Sequence, residues 1–329
     1  MRKVLIIIDK FGWSYDAIAK GLAKGNANGA LSFDIVSLAD NLDYIEQHHA
    51  KYDLVFAMGW TLIMSKKKKH RYRQELTFLD RRKLITGIHS HRSWDEYASL
   101  PEACPPPPQE LIEELSTLRH INVISRRLFT IFREAGLSNI TLTENGVDTD
   151  LFAPAHPIAT DRHRPLIVGF CGSTHIDKHD HLKGYSQFIA PLCELPNVEI
   201  KVLGGKGEGQ VKREEMPQLY NQIDLYICTS TSEGFSQSVL EASACGRGVI
   251  STRVGGCEDL ITEGHNGFFI TRDLSGIKCL VSQLEADRLL VQQLGWNNRK
   301  RVLERYAWTI QGPAWLKFIE SNLPEPVGV

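Results

Sequence analysis

Short apolar runs alternate with longer amphipathic segments along almost the whole chain, and this alternation constrains the fold more than any other feature. Continuous apolar strands joined by helical crossovers form parallel sheets that are covered on both faces. The predicted strands are Val4–Ile8, Phe33–Val36, Leu54–Ala57, Leu84–Ile88, Asn122–Ile124, Ile140–Thr143, Leu166–Phe170, Val198–Leu203, Leu225–Cys228, Gly248–Ser251 and Gly267–Ile270. Leu274, Ile277 and Val281 recur with helical spacing in one intervening segment. The sequence therefore predicts an α/β protein.

The length and one irregular segment predict two domains. The chain has 329 residues, and domains commonly contain roughly 100–200 residues. Asn145-Gly146 begins a turn, and residues 152–165 are rich in Pro, Ala and His without clear periodicity. We therefore predict an interdomain linker there, with domains at 1–152 and 153–305 and a terminal segment at 306–329.

Composition excludes several classes of protein. Hydrophobic residues make up 42% and charged residues 23%, and the net charge is −1, so no global field attracts nucleic acid or membranes. The seven cysteines are irregularly spaced without a CxxC pair, which argues against a disulfide framework or a structural zinc site and favours the cytoplasm. The apolar run Val4–Ile8 ends at Asp9, too short for a signal peptide or a membrane span.

The segment Thr231–Gly246 carries the strongest chemical signal. It follows the predicted strand Leu225–Cys228, and Ser236 is a residue type that begins helices well. The amides of the first helical turn would then form an anion site suited to a diphosphate. Glu233 and Glu241 can accept hydrogen bonds from sugar hydroxyls. The alternative is an amphipathic helix with two solvated glutamates.

Three motifs together carry a family resemblance. The Glu233-x7-Glu241 spacing, the run Val249–Phe268 and the junction Asn145–Pro154 resemble glycosyltransferase family 4, over about residues 120–320 of this sequence. This resemblance implies the GT-B architecture: two Rossmann-like domains facing each other across a cleft, with a C-terminal helix that crosses back to the N-terminal domain. It also implies retaining transfer of a sugar from a nucleotide diphosphate sugar, the first domain binding the acceptor and the second the donor.

The resemblance assigns donor-binding roles around the two glutamates. Glu233 corresponds to the residue that contacts the donor sugar, and Glu241 to the one that binds the ribose. Gly234 permits close approach of the ligand. The backbone amides implied to hold the sugar and phosphates are those of Phe235, Ser236, Ser238 and Val239. Ser236 stands where the family has Gly, and Gly248 stands where it has Pro.

A second motif follows the first strand of the second domain and contains Gly172, Ser173, Lys178 and Lys183. By resemblance, Lys183 neutralises the donor pyrophosphate, a role suited to the compact lysine ammonium. The family often has an arginine slightly earlier, where Lys178 is the nearest cation here. Lys178 either substitutes for it or the second charge is missing. Gly205, in a glycine-rich loop without dinucleotide-binding spacing, is expected near the nucleobase.

The first domain supplies one catalytic and several acceptor candidates. His89 ends a predicted strand, where family members carry a histidine that faces the donor sugar, and His91 is the alternative. Gly12, Trp13, Ser14 and Tyr15 replace the double-glycine loop that the family has after its first strand. Their aromatic rings either stack on an acceptor or belong to the core.

The resemblance implies catalysis by His89, Glu233 and Lys183 without a cofactor or a metal. Asp148-Thr149-Asp150 has a metal-binding pattern of another glycosyltransferase fold, but it lies in the junction motif and we discount it. UDP is the first expectation for the donor nucleotide and GDP the second. The alternatives are a sugar-nucleotide epimerase or phosphorylase of the same fold, or a non-catalytic nucleotide-sugar binding subunit.

A basic cluster spans Lys66–Arg73. It is either a solvated loop and helix face or a docking site for an anionic membrane surface or acceptor. The second interpretation would place the cytoplasmic protein at the inner face of a membrane, and no nucleic-acid partner is expected.

Overall fold

The computed structural model describes residues 1–26, 29, 31–67, 71–74, 76–91, 94–95, 100–172, 180–204 and 211–325. Packing divides the chain into two compact units. The first unit comprises Met1–Tyr97, Cys104–Gly146 and Trp308–Val329, and the second comprises Ala98–Ala103 and Val147–Ala307.

Strands and helices alternate through both units. The strands are β1 Arg2–Ile8, β2 Leu31–Ser37, β3 Leu54–Ala57, β4 Met64–Lys67, β5 Arg71–Gln74, β6 Leu84–Ile88, β7 His120–Val123, β8 Ile140–Leu142, β9 Leu166–Phe170, β10 Val198–Val202, β11 Leu225–Cys228, β12 Gly248–Ser251 and β13 Phe268–Phe269. The helices are α1 Ser14–Gly25, α2 Leu42–His48, α3 Gln109–Ser116, α4 Arg126–Glu134, α5 Asp180–Lys183, α6 Met216–Tyr220, α7 Gln237–Ala244, α8 Gly256–Leu260, α9 Leu274–Ala286, α10 Arg288–Arg301 and α11 Trp308–Glu320.

The first unit is built on a six-stranded parallel sheet in the order β2-β1-β3-β6-β7-β8. Residues Val4–Ile8 of β1, an interior strand between β2 and β3, are completely buried. A continuous apolar run is what a strand covered on both faces requires. The predicted parallel α/β architecture is confirmed, and each predicted strand overlaps an observed one.

The basic cluster Lys66–Arg73 differs from its prediction. Part of it lies in the antiparallel pair β4 and β5, which the sequence reading did not find and which replaces the predicted loop and helix face. The reason is that lysines and arginines dominate both strands, so no apolar pattern marks them. Residues 68–70 lie outside the described part of the chain.

The second unit contains a five-stranded parallel sheet in the order β10-β9-β11-β12-β13. β9 pairs with β10 on one side and with β11 on the other, so the order of the strands reverses between β9 and β11. In open parallel sheets, ligands bind outside the carboxyl ends of the strands at such a point. Strand order alone therefore directs attention to the residues after β9 and β11.

The predicted linker at 152–165 belongs to the second unit. Phe152 and Ile158 are buried, and Ile158 belongs to the hydrophobic core of this unit. The Asn221 side chain accepts from the Ala155 N–H at 2.8 Å and donates to the Ala153 carbonyl at 3.0 Å. The segment lacks periodicity because side-chain bonds and single apolar anchors hold it, not because it is a free linker.

The C-terminal helix α11 packs inside the first unit. The Trp315 indole N–H donates to the Glu144 carbonyl oxygen at 2.7 Å, and the rings of Trp315 and Phe318 lie 6.1 and 6.0 Å from that of Phe56. The predicted return of the C-terminal helix to the N-terminal domain is confirmed. Among the described residues, no helix is long and apolar enough to cross a bilayer.

Candidate functional site

The carboxyl ends of β9 and β11 bring the predicted donor residues of the second unit together. The Lys183 ammonium donates to Glu233 Oε1. The Ser230 hydroxyl donates to the same carboxylate oxygen at 2.8 Å. Burial is the largest single effect on the pKa of Lys183 and lowers it, but the charge and hydrogen bond of Glu233, together with the nearby Cys228 and Cys171, raise this pKa above its ordinary value. The Lys183 ammonium is therefore held beside the Glu233 side chain.

Backbone contacts hold the two partners of this pair together. The N–H of Thr231 donates to the Leu182 carbonyl oxygen at 2.9 Å. The Arg272 guanidinium donates to the carbonyl oxygens of Leu182 at 3.1 Å and Thr229 at 2.7 Å. Arg272 thus ties the end of α5, which carries Lys183, to the loop after β11. No sequence motif pointed to Arg272, since its partners are backbone atoms of distant segments.

Glycines of the turn before α8 position the loop that carries Glu233. A Cβ on Gly255 would lie 2.1 Å from the Gly234 carbonyl oxygen, and the φ of Gly255 is +42°. The Gly256 N–H donates to that same carbonyl oxygen at 2.8 Å. A Cβ on Gly256 would lie 2.0 Å from the Phe235 ring. Only glycine fits at these two positions, because the donor loop packs directly on their backbone.

The helix after this loop begins where the sequence predicted. Ser236 occupies the N-cap of α7, but its side chain makes no capping hydrogen bond. Its hydroxyl instead lies 3.0 Å from that of Ser238, which also receives a hydrogen bond from Tyr226 at 2.7 Å. The side-chain capping expected of Ser236 is therefore wrong. The serine hydroxyl does not satisfy the first-turn amides, which are the groups that bind anions at helix N-termini.

Glu241 is set in a different environment from Glu233. Its side chain is 6% exposed, whereas that of Glu233 is 18% exposed. Glu241 accepts from Arg213 at 2.6 Å and from the Tyr220 hydroxyl at 3.0 Å. Burial raises the pKa of Glu241, and the hydrogen bonds from Arg213 and Tyr220 offset only part of this. The alternative of two solvated glutamates is wrong for Glu241, which is buried.

Arg213 and Tyr220 are site residues that the sequence reading missed. They come from the segment around α6, and neither stands in a recognised motif. The Arg213 guanidinium also lies 5.0 Å from the centre of the Phe152 ring, so the junction segment supports it. A buried carboxylate requires a partner that donates hydrogen bonds or carries a positive charge. The available signal was therefore the need of a buried Glu241 for a basic partner.

The structure describes only some of the remaining donor-binding candidates. Gly172 lies at the end of β9, where an added Cβ would lie 3.7 Å from Lys183 Cγ. Val239 is completely buried in α7, so only its backbone is placed to contact a ligand. Ser173, Lys178 and Gly205 lie outside the described residues.

His89 follows β6 in the first unit, and Gly87 makes room for its ring. A Cβ on Gly87 would lie 2.5 Å from His89 Nε2. Nε2 is buried and has no hydrogen-bond partner within the described part of the chain. Burial lowers the pKa of His89 to about 4, against a small opposing effect of the Met58 backbone. His89 is therefore a neutral imidazole at physiological pH.

The acceptor candidates of the first unit divide into exposed and buried residues. Gly12, Trp13 and Ser14 are exposed, and the Trp13 ring is 44% accessible at the start of α1. The Tyr15 ring packs edge-on against His89 with a centroid distance of 4.8 Å. His91 is only 2% exposed, which leaves almost no surface of its ring for an acceptor. The exposure of these residues therefore favours the loop 12–15 over His91 as the acceptor-binding segment.

Asp148 uses its carboxylate locally. Its Oδ1 atom accepts from the backbone N–H groups of Asp150 at 3.1 Å and Leu151 at 3.2 Å. Such bonds are the ordinary role of aspartate in a turn.

Comparison with known proteins supports this description. Residues 206–301 match the family model described as "Glycosyl transferases group 1". The chain is 25% identical over 207 residues to alpha-maltose-1-phosphate synthase of Mycolicibacterium smegmatis, covering 51% of this chain and 53% of that protein. It is 27% identical over 206 residues to the GDP-mannose-dependent alpha-(1-6)-phosphatidylinositol monomannoside mannosyltransferase of the same organism, covering 51% and 52%. The matches thus span about half the length of both relatives.

The solved structure of sucrose-phosphate synthase from Thermosynechococcus elongatus has the same fold. It superimposes with a TM-score of 0.75 at 16% identity, covering 98% of this chain and 99% of that one. The GT-B fold, with two Rossmann-like parallel sheets, is therefore established for this chain.

Proposed function

We propose that this protein is a retaining glycosyltransferase that moves a sugar from a nucleotide diphosphate sugar to a hydroxyl acceptor such as a glycan, a glycolipid or a small glycoside. The observation that carries the proposal is the grouping of Lys183, Glu233 and Glu241 where the strand order reverses. The family match at 206–301 covers both glutamates and supports it. A UDP-sugar is the first candidate donor and a GDP-sugar the second.

The proposed chemistry follows from where charge develops. Breaking the bond between the anomeric carbon and the phosphate oxygen leaves positive charge on the sugar and negative charge on the diphosphate. Lys183 and the amides at the start of α7 would stabilise the diphosphate electrostatically. The acceptor hydroxyl would attack from the same face, and the leaving phosphate would take its proton. Glu233 and His89 would hydrogen-bond sugar hydroxyls without forming a covalent bond.

The two glutamates would bind different parts of the donor. Glu241 would bind the ribose in the ground state and the transition state alike. Its anchored position between Arg213 and Tyr220 suits a binding role, because neither partner needs to move during the reaction. Glu233 lies beside Lys183, so it would act nearer to the scissile bond.

Binding and turnover test the proposal in two steps. A thermal-shift screen of nucleotide sugars identifies the donor, since a ligand at 100 times its Kd stabilises by about 2.7 kcal/mol. Slow hydrolysis of that donor without acceptor then separates an enzyme from a non-catalytic binder. Consumption that requires phosphate would indicate a phosphorylase, and isomerised donor without transfer would indicate an epimerase. The anomeric configuration of the product decides retention.

We further propose that transfer needs no cofactor and no divalent metal. Protein cations serve the diphosphate, and the Asp148 carboxylate is engaged by its own turn. Turnover is expected to continue in EDTA. Activity that is lost in EDTA and restored by magnesium or manganese would show that Asp148 and Asp150 bind a metal after all.

The basic segment Lys66–Arg73 supports a weaker proposal, peripheral contact with an anionic membrane surface on the cytoplasmic side. Each basic residue near such a surface contributes about 1 kcal/mol. Co-sedimentation with vesicles containing phosphatidylserine, reduced by high salt and by Lys66→Glu with Arg73→Glu, is expected. Equal sedimentation of the variant would contradict it.

A further inference from the structure

His91, Asp95 and Cys104 form a cluster that the proposed transfer reaction does not use. Each offers one possible metal-ligand atom, and these atoms all lie within 4.8 Å of one another. His91 and Asp95 are buried, and Cys104 is half-buried. All three belong to the first unit. Cys104 stands 13 positions after His91, a spacing that matches no common zinc-binding motif.

Local structure explains why these side chains converge. The N–H groups of Trp94 and Asp95 both donate to the His91 carbonyl oxygen, at 3.2 and 3.1 Å. This single turn places the side chains of His91 and Asp95, four positions apart, on the same side. The Trp94 indole N–H donates to the Pro105 carbonyl oxygen at 2.9 Å, which holds Cys104 beside the turn.

Packing fixes this arrangement from a third direction. The Trp94 ring meets the Phe132 ring of α4 edge-on, with centroids 5.2 Å apart, and it lies 6.0 Å from the His91 ring. Trp94 therefore anchors the turn to the core while it binds the backbone after Cys104.

We propose that His91, Asp95 and Cys104 bind a zinc ion. One imidazole, one carboxylate and one thiolate are the ligand types that zinc accepts, at about 2.0–2.3 Å each. Tetrahedral ligands at such distances lie roughly 3.5 Å apart, so atoms that now lie within 4.8 Å of one another need to approach by at most about 1.3 Å. Hard cations such as magnesium or calcium prefer sites made only of oxygen atoms. Water would complete the coordination.

The role of this zinc would be structural, holding Cys104 against the turn that carries His91 and Asp95. Binding releases the Cys104 proton to solvent, and the ion then links the Cys104 thiolate to His91 and Asp95. The proposed zinc site contains none of the residues assigned to donor binding. Its presence is therefore independent of whether the protein transfers sugars, and both can be tested separately.

Cobalt substitution of the full-length protein tests the site directly. Co²⁺ added to chelator-treated protein should give a thiolate-to-cobalt charge-transfer absorption at one equivalent, and Zn²⁺ should abolish it. Cys104→Ser should lose this band. His91→Ala should bind Co²⁺ more weakly by more than the roughly 10- to 100-fold that loss of an outer-shell partner costs. Cys193→Ser and Cys279→Ser, at exposed free cysteines, are matched controls that should keep the band.

Metal analysis of protein purified without chelator completes the test. About one zinc per chain in the wild type and in both control variants, with loss in Cys104→Ser, is the expected result. Circular dichroism at low temperature confirms that each variant is folded. A cobalt band that persists in Cys104→Ser, or disappears in the controls, would overturn the proposal, as would wild-type protein that binds neither Zn²⁺ nor Co²⁺.

Discussion

Replacing Glu233 by Gln should tighten the binding of the free nucleoside diphosphate while it slows sugar transfer. In the structure the Lys183 ammonium is paired with the Glu233 carboxylate. A diphosphate that recruits Lys183 must compete with this carboxylate and is also repelled by it. The amide of Gln keeps the shape of the side chain and its acceptor for Ser230, but it removes the competing charge.

The size of the effect follows from the exposure of the pair. The Lys183 side chain is 31% exposed and that of Glu233 18%, so solvent screens their attraction and it is worth about 1 kcal/mol or less. Glu233→Gln should therefore lower the Kd of the diphosphate by up to roughly fivefold. The expected loss in kcat is larger, because the carboxylate would stabilise positive charge that exists only in the transition state.

Calorimetry with the nucleoside diphosphate, together with steady-state kinetics on the nucleotide sugar, measures both effects. Lys183→Ala is the matched control. It should raise the Kd of the diphosphate by roughly 10- to 100-fold, because a charged hydrogen bond is lost. If Glu233→Gln weakened diphosphate binding as much as Lys183→Ala does, Glu233 would contribute to the phosphate site and our assignment would be wrong. Unchanged kcat would refute a catalytic role.

Three further predictions concern the other site residues. Glu241→Gln should raise the donor KM with little change in kcat. Glu241→Ala should in addition destabilise the fold by about 1–3 kcal/mol, because it leaves the Tyr220 hydroxyl buried without its acceptor. Chemical denaturation measures this loss of stability for each variant, and a change in kcat alone would contradict a ribose role. The pKa of His89 is about 4, below its ordinary value, so the stability that the neutral ring confers is complete above about pH 6.5 and is lost as the pH falls towards 4. Urea unfolding should show at most about 2 kcal/mol of this loss between pH 7.5 and 5, and an equal slope in His89→Asn would refute it. Gly255→Ala should weaken donor binding, because its new Cβ would clash with the Gly234 carbonyl oxygen. Gly264 also has a positive φ, but an added Cβ there meets its nearest neighbour at 3.9 Å, so Gly264→Ala should lose only stability. Equal donor affinities of the two variants by calorimetry would show that the clash at Gly255 does not affect the donor site.

The sequence predicted those features that local pattern determines. The buried strands were visible because a strand covered on both faces must be apolar along its length, as Val4–Ile8 is. The start of α7 at Ser236 was visible for a similar local reason. Arg272 was not predictable, because it binds backbone atoms that lie far away in the sequence, and Arg213 could have been found only as the basic partner of the buried Glu241. The antiparallel pair of Met64–Lys67 and Arg71–Gln74 was hidden because lysines and arginines make up half of its two strands.

The two glutamates show why a motif identifies a site but does not divide the work within it. Their spacing is the same feature of the sequence, yet Glu241 is buried between a tyrosine and an arginine while Glu233 lies in a more accessible ion pair. A buried carboxylate with two fixed donors holds its position, because moving it would strand those donors without acceptors. A carboxylate that shares its ammonium with an incoming diphosphate changes partners when the donor binds. The structure therefore favours Glu241 for constant binding and Glu233 for interactions that change along the reaction, a division that the kinetics of Glu233→Gln and Glu241→Gln can test.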